Sequence, residues 1–222
     1  MAPLSLREAD VSPERMKPPL GRLDVQRLDG SEGFRLCREL LPFKVRDFWA
    51  WSVSDLVSNA TRGRLAEYIV AKACRIDTAK PRDEWAAVDL VTPAGISIEV
   101  KSAAFIQSWH QDAYSKISFN VRKTLKWDPE TGKASSPPCR VADVYVFALL
   151  AHKDQATLEP LNLGQWEFYV LPTSTLDARK RSQHSITLPS LRKLDSGPYG
   201  FSTVADAVCR AAADCLDRRE EV

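Results

Sequence analysis

Asp89, Glu99 and Lys101 are the residues of this sequence whose types and spacing suit a chemical role. Carboxylates held opposite each other repel, so a chain that places two of them together needs a cation to offset their charge. Magnesium prefers oxygen ligands, keeps several waters and usually takes one or two protein carboxylates together with substrate phosphate. Asp89, Glu99 and the backbone carbonyl of Val100 would suit this ion. Lys101 follows on the same face of a strand, where its ammonium could orient an attacking water or offset transition-state charge.

The residues around the two carboxylates predict a β-hairpin. Pro93 suits a central position of a type I turn, and Gly95 can take the left-handed conformation that closes a short hairpin loop. This turn places Asp89 opposite Glu99. It also pairs Thr92 with Ile96, Val91 with Ser97, and Leu90 with Ile98. Because side chains alternate along a strand, one face of the hairpin is apolar and suits a core: Val88, Leu90, Ile96, Ile98 and Val100.

A helix over residues 61–73 precedes the hairpin and could position it. Its apolar residues recur at helical spacing and form a stripe that would be buried: Leu65, Ala66, Ile69, Val70 and Ala73. Glu67 borders this stripe. On helix position alone, a surface glutamate paired with Lys or Arg is the simpler interpretation. A helix packed on the hairpin, however, could bring Glu67 to the same cation as the two other carboxylates.

Two further helices are predicted earlier in the chain. Residues 33–41 suit a short helix that Pro42 ends. Another helix begins at Asp47, with aromatic residues crowded on its first turns. We expect these aromatics to pack in the core, with base stacking as the alternative role: Phe48, Trp49 and Trp51.

The chain after the hairpin alternates strands with helices. Strands are predicted at residues 115–121, 141–151 and 166–172, and helices at 173–181 and after Ser202. The last helix carries Cys209 and Cys215, which we expect in its core face. Residues 33–222 are therefore predicted to form a single α/β domain, whose central mixed sheet of about five strands is flanked by helices. Residues 1–32 lack sustained periodicity and predict a flexible or wrapping arm.

The hairpin residues resemble the PD-(D/E)xK nuclease superfamily, also called the restriction endonuclease-like fold. The matching residues are Asp89 and Glu99-Val100-Lys101, with Glu67 as the acidic residue on the preceding helix. Val88 stands where the proline of the motif would be. The run from Asp47 to about Gln111 also resembles an uncharacterised bacterial branch of that fold.

This resemblance implies a metal-dependent endonuclease that hydrolyses DNA phosphodiester bonds by attack of an activated water. The implied cofactor is Mg²⁺, with Mn²⁺ as a substitute. The residues implied at the metal or its water are Asp89, Glu99, Val100 and Glu67. Lys101 would position the nucleophile, and Gln107, which follows the catalytic strand, would line the site. Many members of the superfamily cut both strands as dimers, which leaves a homodimer open.

Two alternatives to a nuclease stay open. A nucleic-acid-binding or scaffold protein could keep the same fold without cleavage, because fold alone does not settle activity. The face that carries Glu99 and Lys101 could also be an ordinary solvated hairpin surface on a protein of unrelated function. The complete set of Asp89, Glu99 and Lys101 favours the enzyme.

Basic residues in two segments could contact a nucleic-acid backbone. Arg62 and Arg64 lie near the start of the helix before the hairpin, where they could meet phosphates or be solvated. The second segment is basic and aromatic, and it could grip phosphates while its tryptophan stacks on a base; a solvated edge is the equal alternative. Its residues are Arg122, Lys123, Lys126 and Trp127.

The composition of the chain bears on its binding partners and its cellular compartment. The chain of 222 residues has a net charge of +2, so any DNA-binding surface must be local. Five cysteines without metal-ligand spacing favour a reducing compartment. The sequence shows neither an apolar run long enough for a membrane span nor a signal-peptide pattern. These observations predict a cytoplasmic protein that does not interact with membranes.

Overall fold

The computed structural model describes residues 20–125, 127–128, 131–134, 137–180 and 182–220. Its helices and strands, in chain order, are β1 (Gly33–Leu36), β2 (Glu39–Lys44), α1 (Val45–Val53), α2 (Asn59–Ala73), β3 (Leu90–Val91), β4 (Ser97–Ala104), β5 (Ser118–Asn120), β6 (Trp127–Asp128), β7 (Lys133–Ala134), β8 (Val144–Leu150), β9 (Trp166–Pro172), α3 (Thr173–Asp177), β10 (Ser185–Thr187), α4 (Leu188–Leu191) and α5 (Val204–Glu220). Across these ranges no helix is both long enough and apolar enough to span a membrane.

A mixed sheet of four strands, in the order β3-β4-β8-β9, carries the hairpin. Strand β4 pairs antiparallel with β3 and parallel with β8, and β8 pairs antiparallel with β9. The predicted mixed α/β class is confirmed, with four strands in this sheet where about five were expected. The strand predicted at 115–121 forms as β5, but it pairs with β10 in a separate two-stranded sheet. Phe119 of β5 packs against Phe147 of β8, with ring centroids 5.2 Å apart, so β5 lies on a face of the sheet.

The sheet is buried on both faces. Every residue of β8 is buried, as expected of a strand that is covered on both sides. Alternate side chains of β4, β8 and β9 meet residues of α2 and α5 in one cluster, which includes Ile98, Val146 and Phe168. The intervening side chains meet β5, β10 and α4 in a second cluster, which includes Phe147 and Tyr169.

The predicted hairpin register is confirmed. Leu90 pairs with Ile98 and Val91 with Ser97, and the Thr92 N–H donates to the Ile96 carbonyl at 2.9 Å. Gly95 has φ +84°, the left-handed conformation that the turn requires. The expected position of one residue was wrong: Val88 packs with the cluster on the opposite face from Leu90. Strand β3 is only two residues long, so strand alternation does not extend back to Val88.

The first part of the chain departs from its prediction. Residues 33–41, predicted as a helix, form most of the antiparallel pair β1–β2, which turns at Cys37 with φ 57°. Helix α1 does form, but the expected core packing of its aromatics was wrong, because none of its residues is buried. The apolar content that suggests burial is present, but the described residues cover these side chains only in part: Trp49 lies against Gly30 and is still 38% exposed.

The final helix is confirmed as α5. Cys209, expected in the core, is exposed, because the buried face of α5 runs through Val204, Ala207, Val208, Ala211 and Ala212. The side chain of Cys215 lies outside the described residues, as do residues 1–19 of the predicted arm.

Candidate active site

A cleft of about 280 Å³ lies beside the hairpin. The hairpin contributes Asp89, Glu99 and Lys101 to its lining, and the segment after β5 contributes Arg122. Tyr145 of β8, the register partner of Glu99, also lines the cleft. Four of the residues predicted from the sequence to form a site, Asp89, Glu99, Lys101 and Arg122, therefore line one concave surface.

Strand geometry explains why these side chains meet. Glu99 and Lys101 are two residues apart on β4, so they project from the same face of the sheet. Asp89 directly precedes β3, next to the pair of Leu90 and Ile98, and its side chain reaches β4, where it accepts the Val100 N–H. The intervening Val100 projects to the other face and is buried in the core. The polar face of the strand and its anchoring in the core thus depend on the same alternation.

Asp89 is held by the backbone of β4. Its Oδ2 accepts the Val100 N–H at 2.8 Å, in the place where a longer β3 would have bonded. The Asp143 N–H donates to the Ser97 carbonyl, so the odd-numbered residues of β4 direct their backbone groups toward β8. The N–H and carbonyl of one strand residue point the same way, so the carbonyl of Val100 is directed toward Asp89.

Glu99 lies in a strongly perturbed environment. Burial raises the pKa of the Glu99 carboxyl above its ordinary value, and the negative charge of Asp89 raises it further. The Lys101 ammonium opposes this rise, because its Nζ lies 2.5 Å from Glu99 Oε1. Burial also raises the pKa of Tyr145, with Glu99 as the next cause. The floor of the cleft is therefore a place where negative charge is costly unless a cation is close.

Glu67 lies near the two cleft carboxylates, close enough for its charge to raise the pKa of Glu99, and Arg82 stands between Glu67 and Asp89. Glu67 is absent from the cleft lining and pairs with Arg82, whose Nη2 lies 3.1 Å from Glu67 Oε1 and whose Nε bonds Glu67 Oε2. Burial is the largest cause of a raised pKa at Glu67, and the hydrogen bond from Arg82 opposes it. Arg82 Nη2 is also 3.7 Å from Asp89 Oδ1, and Nη1 is 2.7 Å from Glu84 Oε2.

Arg82 is the residue beside the candidate site that the sequence did not single out. It lies in an irregular segment between α2 and β3, where no periodicity marks it. Its one sequence signal is a basic residue near Glu67 and Asp89 in the chain, and that signal is weak. The structure makes it the cation that joins these two carboxylates.

Gln107 and Arg62 meet each other away from the cleft. Gln107 is buried, accepts a hydrogen bond from Arg62 Nη1 at 3.1 Å and donates to the Ala104 carbonyl at 2.9 Å. Arg62 is 3% exposed and also bonds Val57, Asn59 and Ser102. The predicted phosphate contact of Arg62 was wrong, because burial leaves it no surface for a ligand. Both residues tie the start of α2 to the end of β4.

The other predicted nucleic-acid residues are distributed as follows. Arg122 is exposed and lines the cleft. Lys123 is beside it in sequence, but its Nζ is 3.4 Å from Asp177. Arg64 is exposed, with Nη2 3.9 Å from Glu84. Lys126 lies outside the described residues, as does the side chain of Trp127.

The donor set in the cleft suits a hard cation. Asp89 and Glu99 line the cleft and supply only oxygen, the donor that Mg²⁺ and Mn²⁺ prefer, and the Val100 carbonyl between the two strands would add a third oxygen. Among the described residues, no cluster of three or more His, Cys, Asp or Glu side chains has a metal-binding arrangement. An ion in the cleft would thus be bound by two carboxylates, a backbone carbonyl and solvent or substrate oxygens. Mg²⁺ commonly has such a ligand set.

Comparison of the chain with protein-family models, curated proteins and solved structures gives no match. The functional argument therefore relies on the geometry of the cleft and on its residue types.

The free energy of unfolding is expected to fall as pH rises through the raised pKa of Glu99. An acid whose pKa is higher in the folded state than in the unfolded state binds more protons when folded. Its contribution to stability is full below the ordinary pKa of 4.5 and is lost as pH passes the raised value. Denaturation of the wild type and Glu99→Gln across this range, with chelator present, should show the wild type losing stability relative to the variant. A pH-independent difference would contradict the prediction.

Proposed function

We propose that this protein is a metal-dependent nuclease that hydrolyses DNA phosphodiester bonds, built on a restriction endonuclease-like fold. The observation that carries the proposal is the meeting of Asp89, Glu99 and Lys101 on one cleft, where Asp89 also accepts the backbone N–H of Val100. Two acids held close together, with a lysine next to them, suit a phosphate diester and a cation better than they suit a neutral substrate.

Each residue has a role that its position supports. Asp89, Glu99 and the Val100 carbonyl would hold Mg²⁺ or Mn²⁺. The ion would supply Lewis-acid activation of water and neutralisation of phosphate charge. Lys101 would donate a hydrogen bond to the water that attacks phosphorus, while the bond to the leaving alcohol oxygen breaks; solvent would take the proton of the attacking water and protonate the leaving oxygen. The lysine ammonium has no acceptor lone pair, so Lys101 orients the water and does not remove its proton.

The opposite part of the cleft lining supports a polyanionic substrate. Arg122 is exposed there and could bond phosphate oxygens, with Asn120 and Thr124 as neutral partners on the same segment. Because the net charge of the chain is only +2, such local groups must provide the attraction. DNA is the proposed partner of this surface.

A non-catalytic nucleic-acid-binding or scaffold protein on the same fold is the second candidate. The observation that favours it is that the carboxylates already have protein cations. Arg82 pairs with Glu67, and Lys101 Nζ is 2.5 Å from Glu99. Such ion pairs could stabilise the hairpin without any metal.

The two candidates are separated by incubating the purified chain with linear, circular and single-stranded DNA, in Mg²⁺, in Mn²⁺ and in chelator. The nuclease predicts cleavage that needs the cation, and cleavage of circular DNA would identify an endonuclease. Salt-dependent retention of DNA without cleavage under any condition would assign the binding protein instead. Absence of both cleavage and binding would exclude both candidates.

A further inference from the structure

The first described part of the chain exposes an unusual amount of apolar surface. We call residues 20–53 the N-terminal unit; it contains β1, β2 and α1. Eleven large hydrophobic side chains of this unit are exposed: Leu20, Leu23, Val25, Leu28, Phe34, Leu36, Leu40, Phe43, Phe48, Trp49 and Trp51. Trp51 is the most exposed of the aromatics, at 85%.

The N-terminal unit does not make its own core. Gly30 is its only buried residue. Phe34 and Phe43 contact each other with ring centroids 4.8 Å apart, yet both stay exposed. A two-stranded hairpin without a third layer is only marginally stable in water. The described residues leave most of this apolar surface uncovered, so a further surface could pack on it.

The exposed apolar area is sufficient for a stable protein interface. Five of the eleven side chains are Phe or Trp, which dominate interface energetics. The eleven together expose on the order of 1,000 Å², while a standard interface buries about 800 Å² on each partner. Scattered single apolar residues need no explanation, but a concentration of this size in a short segment marks an interaction site.

The charges of the unit favour protein over nucleic acid or an anionic membrane. Residues 20–53 contain six basic residues, Arg22, Arg27, Arg35, Arg38, Lys44 and Arg46, and five acidic ones, Asp24, Asp29, Glu32, Glu39 and Asp47. Surfaces that bind nucleic acid or an anionic membrane typically carry a clear excess of basic residues. A surface with near-balanced charge does not repel a copy of itself, and each acidic group can meet a basic group across a two-fold axis.

We propose that the N-terminal unit is a self-association surface, through which two copies of this chain form a symmetric dimer. The paired apolar side chains would supply the missing core of the unit in each copy. The proposal does not depend on the nuclease activity, because it uses no residue of the cleft.

Sedimentation equilibrium of the full chain over a range of concentrations tests the dimer. We expect the wild type to approach twice its mass of 24.8 kDa. Leu36→Glu and Trp51→Glu should each raise the dissociation constant at least about thirtyfold, the effect of losing an interface hot spot. Matched controls come from outside the unit. Leu161 has the same 65% exposure as Leu36, and Trp109 is 55% exposed, so Leu161→Glu and Trp109→Glu should leave the dimer unchanged.

Hydrogen exchange provides a second test that uses only the wild type, so misfolding of a variant cannot affect the result. Dimerisation predicts that amide protection of β1, β2 and α1 rises with protein concentration, while that of β8 does not change. A wild type that stays monomeric at all concentrations would overturn the proposal and assign the apolar surface to residues 1–19 or to another protein. A dimer that the control substitutions disrupt as strongly as Leu36→Glu would overturn it as well.

Discussion

Lys101→Ala is expected to slow DNA cleavage at least about a hundredfold while leaving cation binding intact. Asp89→Asn is expected to abolish measurable cleavage and to weaken Mn²⁺ binding at least about tenfold. The asparagine can still accept the Val100 N–H, which Asp89 Oδ2 accepts at 2.8 Å, so this variant removes charge more than structure. Single-turnover cleavage and calorimetric Mn²⁺ titration measure the two effects separately.

Lys123→Ala is the matched control for Lys101→Ala. Lys123 is also a partly exposed lysine paired with an acid, with Nζ 3.4 Å from Asp177, but it is absent from the cleft lining. Its substitution should change the cleavage rate by less than about threefold. Equal losses in both lysine variants would argue that general electrostatic attraction, and not positioning by Lys101, accounts for the effect.

Arg82→Gln is expected to bind Mn²⁺ about tenfold more tightly than the wild type. The Arg82 guanidinium bonds Glu67 and lies 3.7 Å from Asp89 Oδ1, the oxygen that the backbone leaves available. A positive group at this distance opposes the entry of a cation, and its removal leaves both carboxylates more attractive to one. Calorimetric titration with Mn²⁺ alone gives the affinity independently of any cleavage.

Arg64→Gln controls for the loss of charge in the Arg82 experiment. Arg64 lies 3.9 Å from Glu84, which Arg82 also contacts, so the two substitutions remove the same charge from one neighbourhood. The control should bind Mn²⁺ as the wild type does. In chelator, Arg82→Gln should be less stable than the control, because a mostly buried Glu67 loses its partner. Unchanged or weaker Mn²⁺ affinity in Arg82→Gln would show that Arg82 supports the site and does not compete for it.

Local rules explain the part of the structure that the sequence predicts. The turn at Gly95 fixes the register of β3 and β4, and alternation along β4 then separates Glu99 and Lys101 from the core residues between them. The continuous apolar run of β8 likewise follows from its position between two neighbouring strands. These features depend on residues that are close in sequence or on burial of a whole strand.

Contacts between distant segments explain what the sequence does not predict. Arg62 is near the start of a helix, where exposure is the usual outcome, and only the approach of Gln107 and Ser102 buries it. Arg82 gains its role from a segment that has no regular structure. The aromatics of α1 were expected to be buried and are not. An apolar side chain favours burial, but its type does not identify the surface against which it packs.

The bond between Asp89 and the Val100 N–H also limits which ions the cleft can select. Because Oδ2 of Asp89 accepts a backbone N–H and one oxygen of Glu99 accepts from Lys101, the oxygen of each acid that is not so bonded would be the more available ligand. Both acids would therefore favour low denticity. Calcium binds more oxygens at longer distances and often uses bidentate carboxylates. Magnesium, a smaller octahedral ion, commonly binds few protein ligands and several waters. The short length of β3 would thus make the proposed site disfavour calcium relative to magnesium.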